Sequence, residues 1–167
     1  MATITRASMD ILLEQEELLR YPDSFGAREA LSLGNTVARL SAEYERGITV
    51  EVFRESDGMV LFAWSSDDKA PRNYGFIAGK RAAALSSGHA SPYKQIQVVS
   101  EGGDAEALWS DPASAPAAGA FPIRVGDEWV ATIVVSGLHH GQDHELCVRA
   151  LSHELSVEVP AITEELA

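Results

Sequence analysis

Phe121-Pro122-Ile123-Arg124-Val125, then Gly126-Asp127, then Trp129-Val130-Ala131-Thr132-Ile133-Val134-Val135 is the stretch on which the fold turns. Two runs of β-formers on either side of a Gly-Asp turn describe a hairpin. Its second arm is nearly all apolar, as expected of a central strand covered on both faces. A matching hairpin lies upstream. Ile48, Val50 and Val52 alternate with Thr49, Glu51 and Phe53, Ser56-Asp57-Gly58 turns the chain, and Met59 to Trp64 returns.

Helical periodicity surrounds these hairpins. From Met9 to Arg20, Ile11, Leu12, Leu18 and Leu19 lie on one side, and Tyr21-Pro22-Asp23-Ser24 breaks the pattern. From Phe25 to Arg46 the set Ala30, Leu33, Val37, Leu40 and Tyr44 predicts a long amphipathic helix stopped by Gly47. A third helix is expected from Arg72 to Ser87, with Tyr74, Ile77, Ala78, Arg81 and Leu85 on one face. The last runs from about Asp143 to Val157, with Leu146, Cys147, Ala150, Leu151 and Leu155 inward. Tyr93 to Val99 reads as either a helix end or a short strand. Glu101 to Ala118 reads as an irregular excursion with a helical turn near Leu108-Trp109. Two hairpins joined through a helix predict an α+β fold: an antiparallel sheet of about five strands flanked by helices. No βαβα alternation and no glycine-rich phosphate loop is present.

The length suits one domain over residues 1–167, with flexible ends expected at 1–8 and 160–167. Thirteen basic residues against 25 acidic give a net charge of -12. That balance argues against nucleic acid, which needs a concentrated basic face, and against anionic membranes. A hydrophobic content of 46% is enough for a real core. The absence of a long apolar run or signal-like start predicts a cytoplasmic protein. Cys147 is the single cysteine, which excludes an internal disulfide or an iron–sulfur cluster, and its position predicts a core thiol.

The densest concentration of chemistry is Ser136-Gly137-Leu138-His139-His140-Gly141-Gln142-Asp143-His144-Glu145, where the buried strand turns into the last helix. Such a turn gathers free N–H groups and the positive end of a helix. Asp143 is the expected N-cap. His144, in the first helical turn, should stay neutral, fit either to ligate a metal or to move protons with Asp143. His140 and His144 are four apart, a metal-ligand spacing, although Gly141 stands between them. Lys80-Arg81 is an adjacent basic pair suited to a carboxylate, and His89 near Tyr93 is a further acid–base or ligand candidate. Ser136 stands outside any GxSxG pattern.

Several stretches together resemble the haem-degrading-domain family, also called GlcG-like or HbpS-like, in its cytoplasmic branch of uncertain function. They are Leu12-Leu13-Glu14-Gln15-Glu16; Asn73, Phe76 and Lys80-Arg81; His89, Ser91 and Tyr93; Gly119 to Val125; Val135-Ser136-Gly137-Leu138; and Asp143-His144-Glu145-Leu146. The resemblance implies a profilin- or PAS-like sheet in a homo-oligomer, with a small-molecule pocket near the sheet end that holds haem or a corrinoid in some relatives. The pocket residues it carries over are Lys80, Arg81, His89, Gly119, Phe121, Pro122, Ser136, Gly137, Asp143 and His144. The family often has Trp at Phe76 and His-Gly-Gly at Ala117-Ala118-Gly119, and His139-His140 is not typical of it.

Three readings follow. The leading one is a pocket protein binding haem or another tetrapyrrole, with His144 or His89 as axial ligand and Lys80 and Arg81 for the propionates. The second is a pathway enzyme acting on a small carboxylate-bearing substrate, with His144 and Asp143 moving protons. The third is a non-catalytic oligomeric adaptor.

Overall fold

The computed structural model describes residues 3–111, 113 and 115–167. Its elements are α1 (Arg6–Leu18), β1 (Arg20–Tyr21), α2 (Ala27–Ser41), β2 (Thr49–Arg54), β3 (Val60–Ser65), α3 (Arg72–Ser87), α4 (Tyr93–Ser100), a 3-10 turn (Glu106–Trp109), β4 (Ala120–Val125), β5 (Glu128–Ser136) and α5 (Gln142–Leu155). The strands form one sheet in the order β1-β4-β5-β2-β3. The fold is α+β, as the two hairpins predict.

The sheet is antiparallel except at one edge, where β1 pairs parallel to β4 through Arg20–Arg124 and Tyr21–Val125. This strand falls where the helical reading ran on to Arg20. Two residues are too few to display a period, so only the β4 edge reveals them as a strand. In the centre, Phe121 pairs with Ile133 and Pro122 with Thr132. From Ala131 to Ser136 β5 is buried throughout, as a strand covered on both faces should be.

One face packs against α2 and α5, with Val50, Val52, Phe121, Ile133 and Val135 in the main core. The other face packs against α3 through Ala120, Val134, Ile77 and Ala84. The face expected for α3 needs correction. Ile77, Lys80 and Ala84 point inward, while Tyr74 and Leu85 are half exposed at 51% and 45%. A lysine on the inward face hides the stripe from any hydrophobicity pattern. The α2 helix stops at Ser41 rather than Arg46, and Tyr93–Ser100 resolves as a helix.

Residues 160–167, expected to be a flexible end, are tied down. Gln15 Nε2 donates to the Pro160 carbonyl at 2.8 Å, Glu164 accepts from Thr5 N and Ser8 Oγ, and the Ala118 N–H donates to the Ala167 carbonyl. Of the other expected end, residues 1 and 2 lie outside the described residues, while Ile4 is buried and Thr5 caps α1.

Candidate functional site

Strand β5 ends and β4 begins at the same end of the sheet, where the loops before β2 and after β3 also lie. Four distant segments therefore meet there. The chain leaves β5 through Gly137 at φ 130°, where a Cβ would stand 2.5 Å from the Gly47 carbonyl oxygen and 2.9 Å from Lys69 Cε. Gly119 enters β4 at φ 140°, where a Cβ would stand 3.0 Å from Lys80 Nζ. Only glycine allows both the backbone angle and the close approach.

Lys80 and Asp143 hold this end together. Lys80 Nζ donates to Asp143 Oδ2 at 2.8 Å and to the Val135 carbonyl at 3.0 Å, and Asp143 Oδ1 accepts from Leu138 N at 3.0 Å. Both residues are buried. Such a pair survives out of water only where further hydrogen bonds satisfy each charge, and here they do. Lys80 comes from the helix on one face and Asp143 from the helix on the other, so the ion pair joins the two layers around the sheet end.

Asp143 is not the N-cap. The chain enters α5 through His140 and Gly141, both left-handed, so Gly141 is the cap and Asp143 sits one residue inside the helix. Its carboxylate is turned back to Leu138 and Lys80.

Next to this pair opens a cleft of about 350 Å³ lined by Arg46, Lys69, Arg72 and Lys80, with Phe76, His139 and His140. Four cationic side chains face one acidic lining residue, Asp143, in a chain of net charge -12. Lys69 has Asp68 at 3.7 Å. Arg46 and Arg72 have no carboxylate within 4.0 Å among the described residues. Phe76 is 53% exposed and offers an aromatic surface. The rings of His139 and His140 lie 4.2 Å apart, and His140 Nδ1 is paired with Glu165.

His144 occupies different ground. Its Nε2 meets Gln15 Oε1 at 2.7 Å, while the Gln15 amide nitrogen is committed to Pro160. The amide oxygen must therefore accept, which puts the imidazole proton on Nε2 and leaves a lone pair on Nδ1. That buried Nδ1 has no partner among the described residues. Burial lowers the imidazole pKa from 6.5 to about 4, so the ring is neutral, as expected. His144 borders a second cavity of about 130 Å³, between α5 and the segment that follows it. Neighbours in sequence, Asp143 and His144 share no hydrogen bond and line different cavities.

The other expected site residues divide clearly. Lys80, Ser136 and Gly137 line the cleft, and Gly119 shapes it. Arg81 does not join them: it pairs with Glu55, which accepts from Thr132 Oγ1, and it stacks on Phe53. Thr132 and Ile133 point to opposite sides of the sheet. Arg81 thus lies on the α3 face, whereas His144 sits on the other against Phe121, ring centroids 5.7 Å apart. The two do not converge on a shared cavity. Phe121 and Pro122 are buried within the sheet. His89 stacks on Tyr93 at 4.1 Å and binds Glu16, which also holds Arg124. It does not line the cleft.

His140 and His144 both border the smaller cavity but are turned to Glu165 and Gln15. Among the described residues no group of three or more His, Cys, Asp or Glu is placed to hold a metal ion. Cys147 is a core thiol, its pKa pushed up by burial. Sequence reading missed Arg46, Lys69 and Arg72 because none belongs to a motif: Arg46 lies in the connection before β2, Lys69 in the one after β3 and Arg72 at the start of α3, and only tertiary packing brings them to one cleft.

Fold and site together define an α+β domain with a cationic cleft at one end of its sheet. The family model described as haem degrading protein HbpS-like matches residues 25–152, and the chain belongs to that family. A UPF0303 protein of Rhizobium etli is 30% identical over 153 residues, covering 90% of this chain and 92% of that protein. A UPF0303 protein of Streptomyces coelicolor is 32% identical over 154 residues, covering 90% and 96%. Among solved structures, the Ybr137w protein superposes with a TM-score of 0.73 at 23% identity, over 90% of this chain and 95% of that one. HbpS gives 0.60 at 21% identity, over 78% and 89%. A PduOC:heme complex gives 0.60 at 17% identity, over 83% and 97%. These three are likenesses of fold. Among the described residues no helix is long and apolar enough to cross a membrane.

Proposed function

We propose that this chain is a small-molecule binding protein whose sheet-end cleft takes haem or a related planar tetrapyrrole through its carboxylates. The observation that carries the reading is the local reversal of charge: Arg46, Lys69, Arg72 and Lys80 gather around one cleft of a strongly acidic chain. The cleft volume falls within the range of small-molecule sites. Family membership and the fold likeness to a haem complex favour a tetrapyrrole over other anions.

The residues present fit such a group. Arg46, Lys69 and Arg72 would hold propionates, Phe76 would cover a ring face, and His139 or His140 would present an imidazole to the metal. When bound, haem would supply an iron centre for ligand or electron chemistry. Lys80 is committed to Asp143, so its role is to keep the floor rigid, while Arg46, Lys69 and Arg72 supply the positive charge. Acid–base catalysis by Asp143 with His144 has less support, since the two do not touch.

A haemin titration tests the reading. A saturable, sharpened Soret band is expected. Arg72→Glu should weaken binding about tenfold, in line with the loss of one charge-assisted contact. His139→Ala together with His140→Ala should shift the band. No saturable change in the unmodified protein, or identical titrations for Arg72→Glu, would remove the proposal.

We also propose that the protein works as a homo-oligomer. The edge strand β3 carries Val60-Leu61-Phe62-Ala63-Trp64 without a single charge, and Met59, Val60 and Trp64 are at least 40% exposed. Such an edge is usually charged or covered. Light scattering that returns a monomer mass at micromolar concentration would exclude it.

A further inference from the structure

We infer that residues 157–167 are a displaceable strap over a second, histidine-lined site distinct from the sheet-end cleft. The segment leaves α5 through Ser156 in the left-handed region, and contains no helix or strand. From Val157 to Glu165 every residue is half-buried or exposed, and the single fully inserted side chain is Leu166, packed against Gly141. The rest is held by partial packing of Val159 and Ile162 on the core and by a series of separate polar attachments. Gln15 donates to the Pro160 carbonyl, Glu164 accepts from Thr5 and Ser8, Glu165 pairs with His140, and Ala167 exchanges bonds with Gln95 and Ala118. Two of these attachments, Thr5–Glu164 and His140–Glu165, are exposed, where water replaces a lost partner at little cost, and those of Gln15, Ser8 and Gln95 are partly buried.

Under the strap the packing is incomplete. The cavity of about 130 Å³ lies between it and α5, walled by Val148, Val159 and Ile162 with Gln15 and His144. His144 is 2% exposed, and its Nδ1 is a buried acceptor without a donor. Stable cores seldom leave such an atom unpaired beside empty volume. The arrangement is that of a partly covered site: an apolar wall of Val148, Val159, Ile162 and Leu166 facing Glu145, Arg149 and Glu164, one waiting acceptor, and a cover with one fully buried side chain. The guest it suits is small and amphiphilic, with a short apolar body and one hydrogen-bond donor for Nδ1. Raising the strap also removes Glu165 from His140, which borders the cleft as well, so the two sites share one wall.

Hydrogen exchange and histidine carbethoxylation on the full-length protein test the inference, and neither requires haem. Amides of residues 157–167 should exchange at least tenfold faster than those of α5. His144 should react slowly with diethyl pyrocarbonate in the unmodified protein. It should react at least tenfold faster in Leu166→Ser, and also in Glu164→Ala, a half-buried anchor outside the hydrophobic core. Circular dichroism identifies a variant that has unfolded, and Glu164→Ala then decides. Equal exchange protection across α5 and the strap, or unchanged labelling of His144 in a folded Glu164→Ala, would overturn it.

Discussion

Burying Lys80 against Asp143 commits the protein to keeping both, because either charge alone would lie out of water without a partner. Lys80→Met or Asp143→Leu should lower unfolding free energy by roughly 3–5 kcal/mol, read from the urea midpoint. The double variant Lys80→Met with Asp143→Leu should recover much of that loss, since an apolar pair of similar volume leaves no buried charge. A double variant as unstable as the sum of the singles would mean that the two do not act as a pair. His144 gives a second prediction at this scale. Its pKa is near 4 when folded and about 6.5 when unfolded, so between those values the unfolded chain binds more protons. The stability it contributes is complete above pH 6.5 and declines as pH falls towards 4. Roughly 2 kcal/mol of it should be gone by pH 5. Subtracting the same pH series for His144→Leu isolates this from carboxylate titration, and a zero difference would show that the ring is not held neutral.

At the scale of elements, the contact of α2 with β3 depends on Gly34. A Cβ there would overlap the Phe62 ring. Gly34→Ala should therefore cost about 1–3 kcal/mol despite alanine's better helix propensity, and Phe62→Leu in the same chain should restore part of it. Thermal denaturation reads both, and a stabilised Gly34→Ala would show that helix and strand part easily. The elements also differ in how far sequence could announce them. Both hairpins carry their turn residues and their alternation, so β2 to β5 are legible. The inward face of α3 is not, because Lys80 lies in its middle and the apparent stripe through Tyr74 and Leu85 faces solvent. The β1 strand has two residues and α4 has eight, lengths at which a period cannot be told from chance.

For the whole molecule, the distribution of charge matters more than its total. A chain of -12 should repel an anionic guest at long range, while the Arg46, Lys69 and Arg72 cluster attracts it nearby. Added salt screens both effects, and the short-range attraction is the stronger for a bound guest. Haemin affinity should therefore fall as sodium chloride rises from 0.05 to about 0.5 M, where the Debye length shortens to a few ångströms. An affinity independent of salt would point to an apolar mode of binding and away from the cationic cleft.

The order of the hairpins and the longer helices, the α+β class, the central position of β5 and the core role of Cys147 follow from local pattern, because turn chemistry and hydrophobic period are properties of neighbouring residues, and the family likeness rests on the quoted motifs. The sequence also marks the Ser136-to-Glu145 turn as the place where chemistry concentrates. It cannot say which side of the sheet each group faces. Arg81 and His144 both look like site residues along the chain, yet the pleat and the two helical layers put them on opposite faces. Conversely, Arg46, Lys69 and Arg72 signal nothing alone and become a site only where the connection before β2 meets the connection after β3 and the start of α3. That assembly rests on long-range packing at one sheet end, with the Lys80–Asp143 pair bridging the two layers there, and no local pattern encodes it.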